Sequence, residues 1–538
     1  MSRIQTPRWL VVALACVVLA RAAEGQVAPG FRLYGPVNGT DVYLVDTNGV
    51  TVHTWPSGQL PGANVYLDND GTLLRTIQTS GLPAIGGAGG GLIRKAFDGT
   101  ILWEYHYDGP QHWSHHDIEP MPNGNVLMVA WQNKSVGQAI AAGRNPAQIQ
   151  GNVMRPDSII EVQQTSPTTG LVVWKWEIWD HLVQDFDPTK ANYGSVAAHP
   201  ELVDINYPPI AADFGDWNHM NSVKYDPIHD QIIMSARGQN EIWVIDHSTT
   251  TAEAAGHTGG IWGRGGDLLY RYGNPECYDA GGPTDRVFFG QHCARVIPSG
   301  YPGEGHYTVF NNNPPGGSTV WEFVPPRDAA GNFILMPGSA YGPVAPVWTY
   351  SDPGFDSQFM ASAQRLPNGN TLICSSLQAR VFEVTMAGQE VWSSPPVTGT
   401  GYFQAHYVER TLWSDSPSLS SSTGGVANFD FILGTPHAGD GYLLLASVSG
   451  SAPGLTIGSV TIPLNFDEVM VASFDYANTW PLSNSAGVLD ANGRATASFT
   501  LPPGVAVTGS AHFACAIVEP SNLFLVRATN PVSLSVAP

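Results

Sequence analysis

The sequence predicts an all-β fold, and three features of its 538 residues indicate this. Glycine (59) and proline (42) are abundant, tryptophan (16) and tyrosine (19) are frequent, and only 13% of the residues are charged. Short apolar runs are separated by Asn-Gly and Asp-Gly turns, while long stretches of Ala, Leu, Glu and Lys at helical spacing are missing. This composition is typical of a large β protein with many turns, and the length allows two or more domains.

A unit of four short strands recurs between Val42 and Trp413. Within it, an apolar strand, an Asn-Gly or Asp-Gly turn and a second apolar strand lead to a strand that ends in Trp or Tyr. The sequence Pro-Asn-Gly-Asn begins at both Pro122 and Pro367, each time just before a strand. This repetition predicts a six-bladed β-propeller over residues 26–413, closed by strands from both ends of the chain. The alternative is a sandwich of unrelated hairpins.

The two ends of the chain differ from the repeats. Compact alternating strands with hairpin turns predict a small C-terminal β-sandwich over residues 428–538, and the serine-rich range 414–427 is predicted to be the linker. In residues 1–25, Arg3 and Arg8 precede an apolar run and several small residues, which is the pattern of a signal peptide. We therefore expect an exported protein, periplasmic or secreted, and no later stretch is long and apolar enough to span a membrane.

The charge of the chain limits its partners. A formal net charge of −21 argues against nucleic acid and anionic membranes, because both require an electropositive surface. An anionic small molecule remains possible if a local group of Arg and His side chains overcomes the field of the whole protein. The oligomeric state is not predicted by any feature of the sequence.

The cysteines of an exported protein can oxidise. Cys16 lies in the predicted signal peptide, and Cys277 and Cys293 bracket one loop, where they could form a disulfide. For Cys374 a buried free thiol is an equal alternative to a disulfide, and for Cys515 the free thiol is favoured.

Several histidines precede the innermost strand of a repeat unit. Side chains at this place in a propeller converge at one end of the central channel. A single such histidine is more often a structural residue, but four coincidences indicate a site. The histidines concerned are His115 and His116, His219, His292 and His406.

One predicted hairpin, residues 216–246, carries His219 together with Asn221 and Arg237. Its strands are predicted at Val223–Tyr225 and Ile232–Ser235, with a turn at Asp226 and Pro227. Because an antiparallel hairpin returns to its starting end, we expect His219 and Arg237 to lie close together.

Three chemistries suit a histidine cluster of this kind. Metal ligation is conceivable at the sequence His-Trp-Ser-His-His-Asp, but no carboxylate or cysteine recurs at the same place, so no metal site is assigned. Acid–base chemistry on a bound cofactor, as in quinoprotein propellers, lacks a cofactor signature, and no cofactor is predicted. The third chemistry is group transfer to a histidine nucleophile, with Arg237, His219 and Asn221 holding a tetrahedral oxyanion.

Seven segments together resemble the bacterial arylsulfotransferases, which are periplasmic six-bladed propellers that move sulfuryl groups between phenols without PAPS. The resemblance runs from Val37 to Trp413 and does not extend to the C-terminal module. The segments are HHDIEPMPNGNVLMVAW, WDHLVQD, DWNHMNSVKYD, SARGQNEIWVID, GGDLLYRYGNP, FFGQHCARVI and AQRLPNGNTLI.

This resemblance implies a role for each candidate residue. His292 would be the histidine that is transiently sulfated, and His219, Asn221 and Arg237 would bind the sulfuryl oxygens. A further imidazole comes from the His-His-Asp sequence, where His116 is favoured over His115, and His219 or His116 could act as the general base. The predicted substrate-binding residues are Asn221, His115 and His406.

The implied reaction is a ping-pong transfer from an aryl sulfate donor to a phenolic acceptor. An aromatic slot for the phenol could be formed by one or two residues such as Trp113, Trp217 and Tyr402. The alternative function is a non-catalytic secreted propeller that binds a ligand or a protein partner. The segment Asp180–Phe186 has acidic and imidazole groups without an assigned role, and a solvated loop or a channel rim are its two interpretations. His257 is predicted to be structural or exposed.

Overall fold

A computed structural model of the chain describes residues 26–68, 71–81, 85–149, 151–208, 215–395, 401–521 and 524–538. The predicted signal peptide, residues 1–25, lies outside the described residues. Within those ranges the structure is mostly β, with three α-helices at Val136–Ala141, Thr251–Ala254 and Glu468–Asp475. The prediction of a β protein is confirmed at this level. No helix of the described ranges is long and apolar enough to cross a membrane.

The chain divides into two compact units. The larger unit comprises Val27–Asp415 together with Ile432–Pro436, and the smaller one comprises Ser416–Phe431 and His437–Pro538. The range 414–427, predicted to be a linker, includes the strand Ser418–Ser420 and the first residues of the strand Gly425–Ile432.

The larger unit contains six four-stranded antiparallel sheets within its described residues. Sheet 1 takes its first strand from the C-terminal end of the unit and its other three from the N-terminal end. Sheets 2 to 6 follow in chain order. Sheet 1 consists of Tyr402–Val408, Phe31–Pro36, Val42–Val45 and Thr51–Trp55, sheet 2 of Pro61–Leu67, Leu73–Gln78, Gly90–Lys95 and Ile101–His106, and sheet 3 of His112–Pro120, Val126–Gln132, Asp157–Ser166 and Thr169–Glu177.

The remaining three sheets come from the second half of the unit. Sheet 4 consists of Met220–Asp226, Gln231–Ala236, Glu241–Asp246 and Tyr270–Tyr272, sheet 5 of His292–Val296, Tyr307–Asn311, Thr319–Phe323 and Trp348–Tyr350, and sheet 6 of Ser362–Arg365, Thr371–Ser375, Arg380–Val384 and Glu390–Ser393.

The first strands of the six sheets form a closed ring of contacts. Each first strand contacts the first strands of both neighbouring sheets, and the first strand of sheet 1 contacts those of sheets 2 and 6. Side chains at the start of these strands therefore come from distant parts of the chain and meet at one end of the ring.

Apolar cores fill the space between neighbouring sheets. One such core packs Tyr66 and Leu74 of sheet 2 against Ile118 and Met128 of sheet 3. Several tryptophans on the strands are fully buried, among them Trp55, Trp103, Trp131, Trp176 and Trp243. Burying a large side chain contributes about 1.5–3 kcal/mol, so these residues are main contributors to the packing between sheets.

Buried ion pairs also connect adjacent sheets. Arg32 of sheet 1 pairs with Glu383 of sheet 6, and Arg365 of sheet 6 pairs with Glu322 of sheet 5. Their side chains are almost completely buried, so removal of one partner would leave an uncompensated charge in the core.

The predicted turn chemistry is visible in sheet 1. Asp46 Oδ1 accepts hydrogen bonds from the backbone N–H groups of Asn48 and Val50, each at 2.9 Å. Gly49 completes this turn with φ of 78°, a conformation that other residues rarely adopt.

Short elements connect the sheets of the larger unit. Lys134–Ser135 pairs with Val153–Met154, Leu182–Val183 pairs with Val203–Asp204, and a further short strand is Leu412–Ser414. The described 3-10 helices are Pro146–Gln148, Ile178–Asp180, Val196–Ala198, Pro275–Tyr278 and Thr435–His437.

The smaller unit is also built from strands. Its largest sheet has six strands, in which Gly509–Val518 pairs with Gly441–Ser447, Val532–Ala537 and Leu525–Ala528. Ser418–Ser420 and Ala486–Val488 complete this sheet. The strands outside it are Gly425–Ile432, Leu455–Ile457, Val460–Ile462, Leu482–Ser483 and Arg494–Leu501.

The four cysteines after the predicted signal peptide are buried free thiols, and the possible disulfide between Cys277 and Cys293 is wrong. The two sulfurs have different neighbours: Cys277 Sγ donates to the carbonyl of Gln239 at 3.2 Å, whereas Cys293 Sγ lies 2.9 Å from Arg295 Nη2. The two cysteines bracket one loop in the sequence, but their thiols do not meet in the structure. The free-thiol alternative for Cys374 and Cys515 is confirmed.

Candidate functional site

The segment 216–246 contributes to the site through the ends of its first two strands. His219 lies directly before the strand Met220–Asp226, and Arg237 directly follows the strand Gln231–Ala236. Met220 pairs with Ala236 across the two strands, so His219 and Arg237 flank one cross-strand pair. The predicted proximity of the two hairpin ends is confirmed.

Three residues within or directly before first strands have left-handed backbone conformations. The φ angles are 52° at His116, 50° at His219 and 53° at Cys293. Pairing shifts register between Ser114 and Ile118 in sheet 3, and between His292 and Arg295 in sheet 5. Such conformations are uncommon for residues other than glycine and concentrate at functional sites, where surrounding structure stabilises them. They also turn successive side chains away from strict alternation.

His292 is buried and its protonation is determined by its partners. Nδ1 lies 2.8 Å from Asn312 Oδ1 and 3.0 Å from the carbonyl oxygen of Gly290, and Nε2 accepts a hydrogen bond from the N–H of Met360 at 3.1 Å. Asn312 donates its amide Nδ2 to the carbonyls of Ser357 and Met360, so its Oδ1 is the acceptor that faces His292. The proton of neutral His292 is therefore on Nδ1, and the lone pair is on Nε2.

Burial and the positive charge of Arg237 lower the pKa of His292 to about 3. Its imidazole is thus neutral at physiological pH. A neutral imidazole that is oriented through one nitrogen can act as a nucleophile through the other.

A chain of side chains orients His116. His115 Nε2 donates to Asp157 Oδ1 at 3.1 Å, and its ring stacks on Trp131 with centroids 4.0 Å apart. With that proton on Nε2, neutral His115 accepts at Nδ1 from the Nδ1–H of His116, at 2.8 Å. The remaining lone pair of His116 is on Nε2. Burial, followed by the charges of neighbouring groups that include His219, His292 and Arg237, lowers the pKa of His116 well below its ordinary value.

A second carboxylate orients His219. Asp216 Oδ2 accepts from His219 Nδ1 at 2.5 Å, and Oδ1 accepts from the indole N–H of Trp131 at 3.1 Å. Burial raises the pKa of Asp216, but the charge and hydrogen bond of His219 outweigh this and lower it overall. His219 is partly exposed, and no hydrogen bond to its Nε2 occurs within the described residues.

Arg237 supplies an unpaired cation. Its side chain has no carboxylate partner within hydrogen-bonding distance in the described residues, and its Nε is buried without a partner there. Burial lowers the pKa of Arg237. A Cβ on Gly290 would be 3.7 Å from Arg237 Nε, so the guanidinium lies against the loop that precedes His292. This arrangement can bind an anion close to His292.

Asn221 is fully buried on the same sheet. Its Nδ2 donates to the carbonyl of Gln291 at 2.7 Å, directly before His292. Its Oδ1 is buried and unpaired among the described residues, so the group that Asn221 has available is an acceptor.

Phe403 joins the histidines. The ring of His116 lies 4.6 Å from that of His219 and 5.9 Å from that of Phe403, and His292 lies 6.4 Å from Phe403. The structure therefore brings together His116, His219 and His292 around one phenylalanine.

His406 contacts a different group. Its Nε2 lies 3.2 Å from Asn64 Oδ1 and its ring is 4.4 Å from that of Tyr66. Tyr66 and Asp117 belong to a buried network with Lys224, in which Lys224 Nζ lies 2.8 Å from Asp117 Oδ2. The role of His406 in substrate binding stays a prediction, and no ring contact joins it to His116, His219 or His292 in the described ranges.

Of the three aromatic residues suggested from the sequence, Trp217 and Tyr402 have other neighbours, and a role for Trp113 stays a prediction. Trp217 is buried and its indole N–H donates to the carbonyl of Tyr207 at 3.4 Å. Tyr402 packs on Tyr34 with centroids 4.8 Å apart, and the adjacent Phe403 is the ring that contacts the histidines.

Four residues at this site were not found from the sequence: Asp157, Asp216, Asn312 and Phe403. Asp216 precedes His219 by three residues, a spacing that could have indicated an aspartate–histidine pair. Asp157 and Asn312 lie far along the chain from their histidines, and no local pattern marks them.

The buried neutral histidines make stability depend on pH. Because the pKa of His292 is lower in the folded state than in the unfolded chain, its stabilising effect is complete above about pH 6.5 and is lost as the pH falls toward 3. We expect the free energy of unfolding to fall by about 1.4 kcal/mol per pH unit for this histidine below pH 6.5. The free energy of unfolding can be measured by urea titration at neutral pH and at about pH 5. Between these two pH values it should fall less for His292→Gln than for the unmodified protein. Equal losses would show that native His292 takes up a proton in this range.

Solved structures similar to this chain cover about 70% of it at low identity. They include a protein of unknown function from Bacteroides caccae (12% identity, covering 70% of this chain and 98% of that chain, TM-score 0.39). The periplasmic gluconolactonase PpgL of Pseudomonas aeruginosa (12% identity, 70% and 99%, TM-score 0.36) and the β-propeller domain of Cps50 (Swd1) from Myceliophteria thermophila (12% identity, 72% and 93%, TM-score 0.36) are two others. Comparison with curated proteins gives no match. Among protein families, Arylsulfotransferase (ASST) matches residues 37–398.

Proposed function

The chain belongs to the arylsulfotransferase family, and from this premise we propose that it moves a sulfuryl group from an aryl sulfate ester to a phenol through a sulfated His292. One observation carries the proposal. His292 is buried and neutral, its partners leave the lone pair on Nε2, and the guanidinium of Arg237 lies nearby without a carboxylate partner. A nucleophile next to an unpaired cation suits attack on an anionic ester.

In the first half-reaction, Nε2 of His292 forms a bond to the sulfur of the donor, and the bond from sulfur to the phenolic oxygen breaks. The electron pair of that bond leaves with the phenolate. Arg237 stabilises the sulfuryl oxygens, and Asn312 keeps the Nδ1 proton of His292 in place. Protonated His219, whose charge Asp216 compensates, gives a proton to the departing phenolate.

In the second half-reaction, the oxygen of an acceptor phenol attacks the sulfur and the bond from sulfur to Nε2 breaks. The electron pair returns to His292, which is neutral again. The phenolic proton goes to an imidazole with a free lone pair. Both His219, after it has given up its proton, and His116 have such a lone pair on Nε2.

The N–H of Met360 competes with this reaction because it occupies the lone pair of His292 at 3.1 Å. The attack requires this hydrogen bond to break. Met360 and the following Ala361 have φ angles of 59° and 106°, so the segment is held in an unfavourable conformation. Once displaced, the N–H can donate to an oxygen of the transferred group.

Asn221 and Phe403 fit the acceptor better than the sulfuryl group. Asn221 has an unpaired carbonyl oxygen, which can accept from a phenolic hydroxyl, whereas its Nδ2 already donates to Gln291. Phe403 can pack on an aromatic ring between His116 and His292. This assigns Asn221 to the acceptor, which differs from the sulfuryl-binding role that the family resemblance implies.

The proposal includes the finer fold and the location of the protein. Six four-stranded sheets and a closed ring of first strands support a six-bladed propeller. A β-sandwich for the smaller unit and export through removal of residues 1–25 are parts of the same proposal. N-terminal sequencing of the protein recovered from a secreting host tests export, and an intact Met1 on that protein contradicts it.

The reaction is tested with 4-nitrophenyl sulfate as donor and a second phenol as acceptor. We expect nitrophenol release that depends on the acceptor, with no requirement for PAPS. Varying both substrates should give the parallel double-reciprocal lines of a ping-pong reaction. A non-catalytic binding protein would release no nitrophenol with any of several donors and acceptors, and intersecting lines would contradict the covalent intermediate.

A further inference from the structure

A second group of imidazole and carboxylate side chains lies outside the His292 site. His181, His257 and Asp267 converge so that their ligand atoms all lie within 4.8 Å of one another. Nδ1 of His181 and Nδ1 of His257 are each 2.8 Å from Asp267 Oδ1. No hydrogen bond or ring contact joins these residues to His116, His219 or His292 in the part of the chain that the structure describes.

The hydrogen bonds of His181 leave one nitrogen facing the carboxylate with no proton of its own. Nε2 of His181 lies 2.8 Å from the carbonyl oxygen of Ala254, which can only accept, so Nε2 carries the proton. In neutral His181 the lone pair of Nδ1 then points at a lone pair of Asp267. Either a second proton or a cation shared by the two groups removes this repulsion.

The surrounding structure holds these groups in place. The ring of His181 is parallel to that of Trp176, with 9° between their planes, and it is fully buried. Ala254 ends a helix whose first turn is capped by Thr250 and Glu253. A Cβ on Gly266, next to Asp267, would lie 2.0 Å from the carbonyl oxygen of Ala254 and 2.6 Å from His181 Nε2, so only glycine permits this approach.

We propose that His181, His257 and Asp267 bind one divalent transition-metal ion of the Zn²⁺ type. Two imidazole nitrogens and one carboxylate oxygen form a ligand set that Zn²⁺ accepts, and the fourth position is open to water because His257 is 60% exposed. The N–H of His181 to Ala254 is the outer hydrogen bond that metal-binding histidines usually make, and it presents Nδ1 as the ligand. On binding, Nδ1 of His257 gives up its proton and Nε2 carries one instead, so both imidazoles coordinate as neutral ligands.

This site gives a role to the segment Asp180–Phe186, which the sequence left as either a solvated loop or a channel rim. The ion would tie His181, at the end of the 3-10 helix Ile178–Asp180, to the loop that carries His257 and Asp267. No metal was predicted from the sequence, because no carboxylate or cysteine recurs where the histidines precede an innermost strand, and His257 does not share that place. His257 and Asp267 lie 10 positions apart, but His181 lies 86 positions before Asp267, so the three ligands form no local motif.

Calorimetric titration with ZnCl₂ tests the site on full-length, untagged protein freed of metal with a chelator. We expect one Zn²⁺ per chain and a rise in the melting temperature on addition of the ion. His257→Ala, which changes an exposed side chain, should weaken binding by at least about tenfold and reduce the thermal shift. His199→Ala is the matched control, because His199 is an exposed histidine with a single carboxylate partner, Glu201, and should leave binding unchanged.

Two results would overturn the proposal. Absence of saturable Zn²⁺ binding by the unmodified protein would mean that a second proton on His181 holds the cluster together. Equal binding by the unmodified protein and by both His257→Ala and Asp267→Asn would place the ion elsewhere. Because the titration does not depend on sulfuryl transfer, its outcome is independent of the activity assay.

Discussion

Replacing His292 with asparagine is expected to reduce sulfuryl transfer by a factor on the order of 10⁴ or more. Asparagine is polar and close in size, but its amide nitrogen has no nucleophilic lone pair. Arg237 and the other histidines would remain able to bind the donor. The loss should therefore appear in kcat and in kcat/KM, while the donor still binds.

The control for this variant is His306→Asn. His306 directly precedes Tyr307–Asn311, the second strand of the sheet that begins with His292. His306 is partly exposed and contacts Glu322 at 2.7 Å, away from the histidine cluster. It should retain activity close to that of the unmodified protein. Undiminished transfer by His292→Asn would refute the assignment of His292, and an unfolded variant, detected by its melting curve, would be replaced by His292→Gln.

Replacing Arg237 with alanine is expected to reduce kcat by a factor of about 10²–10³, the usual effect of removing one group that stabilises a developing anion. The guanidinium has no carboxylate partner in the described residues, so its charge is available to the substrate. Arg237→Lys should retain the charge but lose the planar pair of donors, and its activity should lie between those of the alanine variant and the unmodified protein.

A dependence on sulfate concentration distinguishes this role from a structural one. If Arg237 binds the sulfuryl oxygens, inorganic sulfate should inhibit the unmodified protein more strongly than either variant. Equal inhibition of all three proteins, or unchanged kcat in Arg237→Ala, would show that Arg237 does not contact the transferred group. Arg286→Lys, in which the changed guanidinium lies over Phe289, is the control.

Much of the fold was predictable because local turn chemistry repeats. Asn-Gly and Asp-Gly turns marked the hairpins, and Asp46 with Gly49 shows why those residues suit them. The closeness of His219 and Arg237 also followed from sequence, since a hairpin brings its two ends together whatever its length. The family resemblance, confirmed by the match over residues 37–398, connected these elements to a chemistry.

The groups that determine protonation were not predictable in the same way. Asp157 acts on His116 through His115 across 42 positions of sequence, and Asn312 acts on His292 across 20. Such pairs depend on which sheets are neighbours, and hydrophobic pattern alone carries no information on that. The same limit applies to Cys277 and Cys293, where spacing suggested a bridge but the two free thiols have different neighbours.

His406 shares its place in the repeat with the other histidines but contacts different residues. His406 and Phe403 belong to the same strand, Tyr402–Val408, and Phe403 is the residue that contacts the histidine cluster. Three residues of strand span about 10 Å, so His406 lies farther along the strand, beside Asn64 and Tyr66. The backbone conformation also differs between the histidines. His116 and His219 have left-handed backbone conformations, whereas in sheet 5 the left-handed residue is Cys293, next to His292. The histidines therefore do not occupy equivalent backbone positions.

The covalent intermediate can be observed directly by mass spectrometry of the protein after exposure to an aryl sulfate without an acceptor. We predict one added SO₃ group on the peptide that contains His292, and its loss when a phenol is added. Digestion should be done at alkaline pH, because the N–S bond of a sulfated histidine is labile in acid. Turnover without any modified peptide, or a sulfated residue other than His292, would contradict the account.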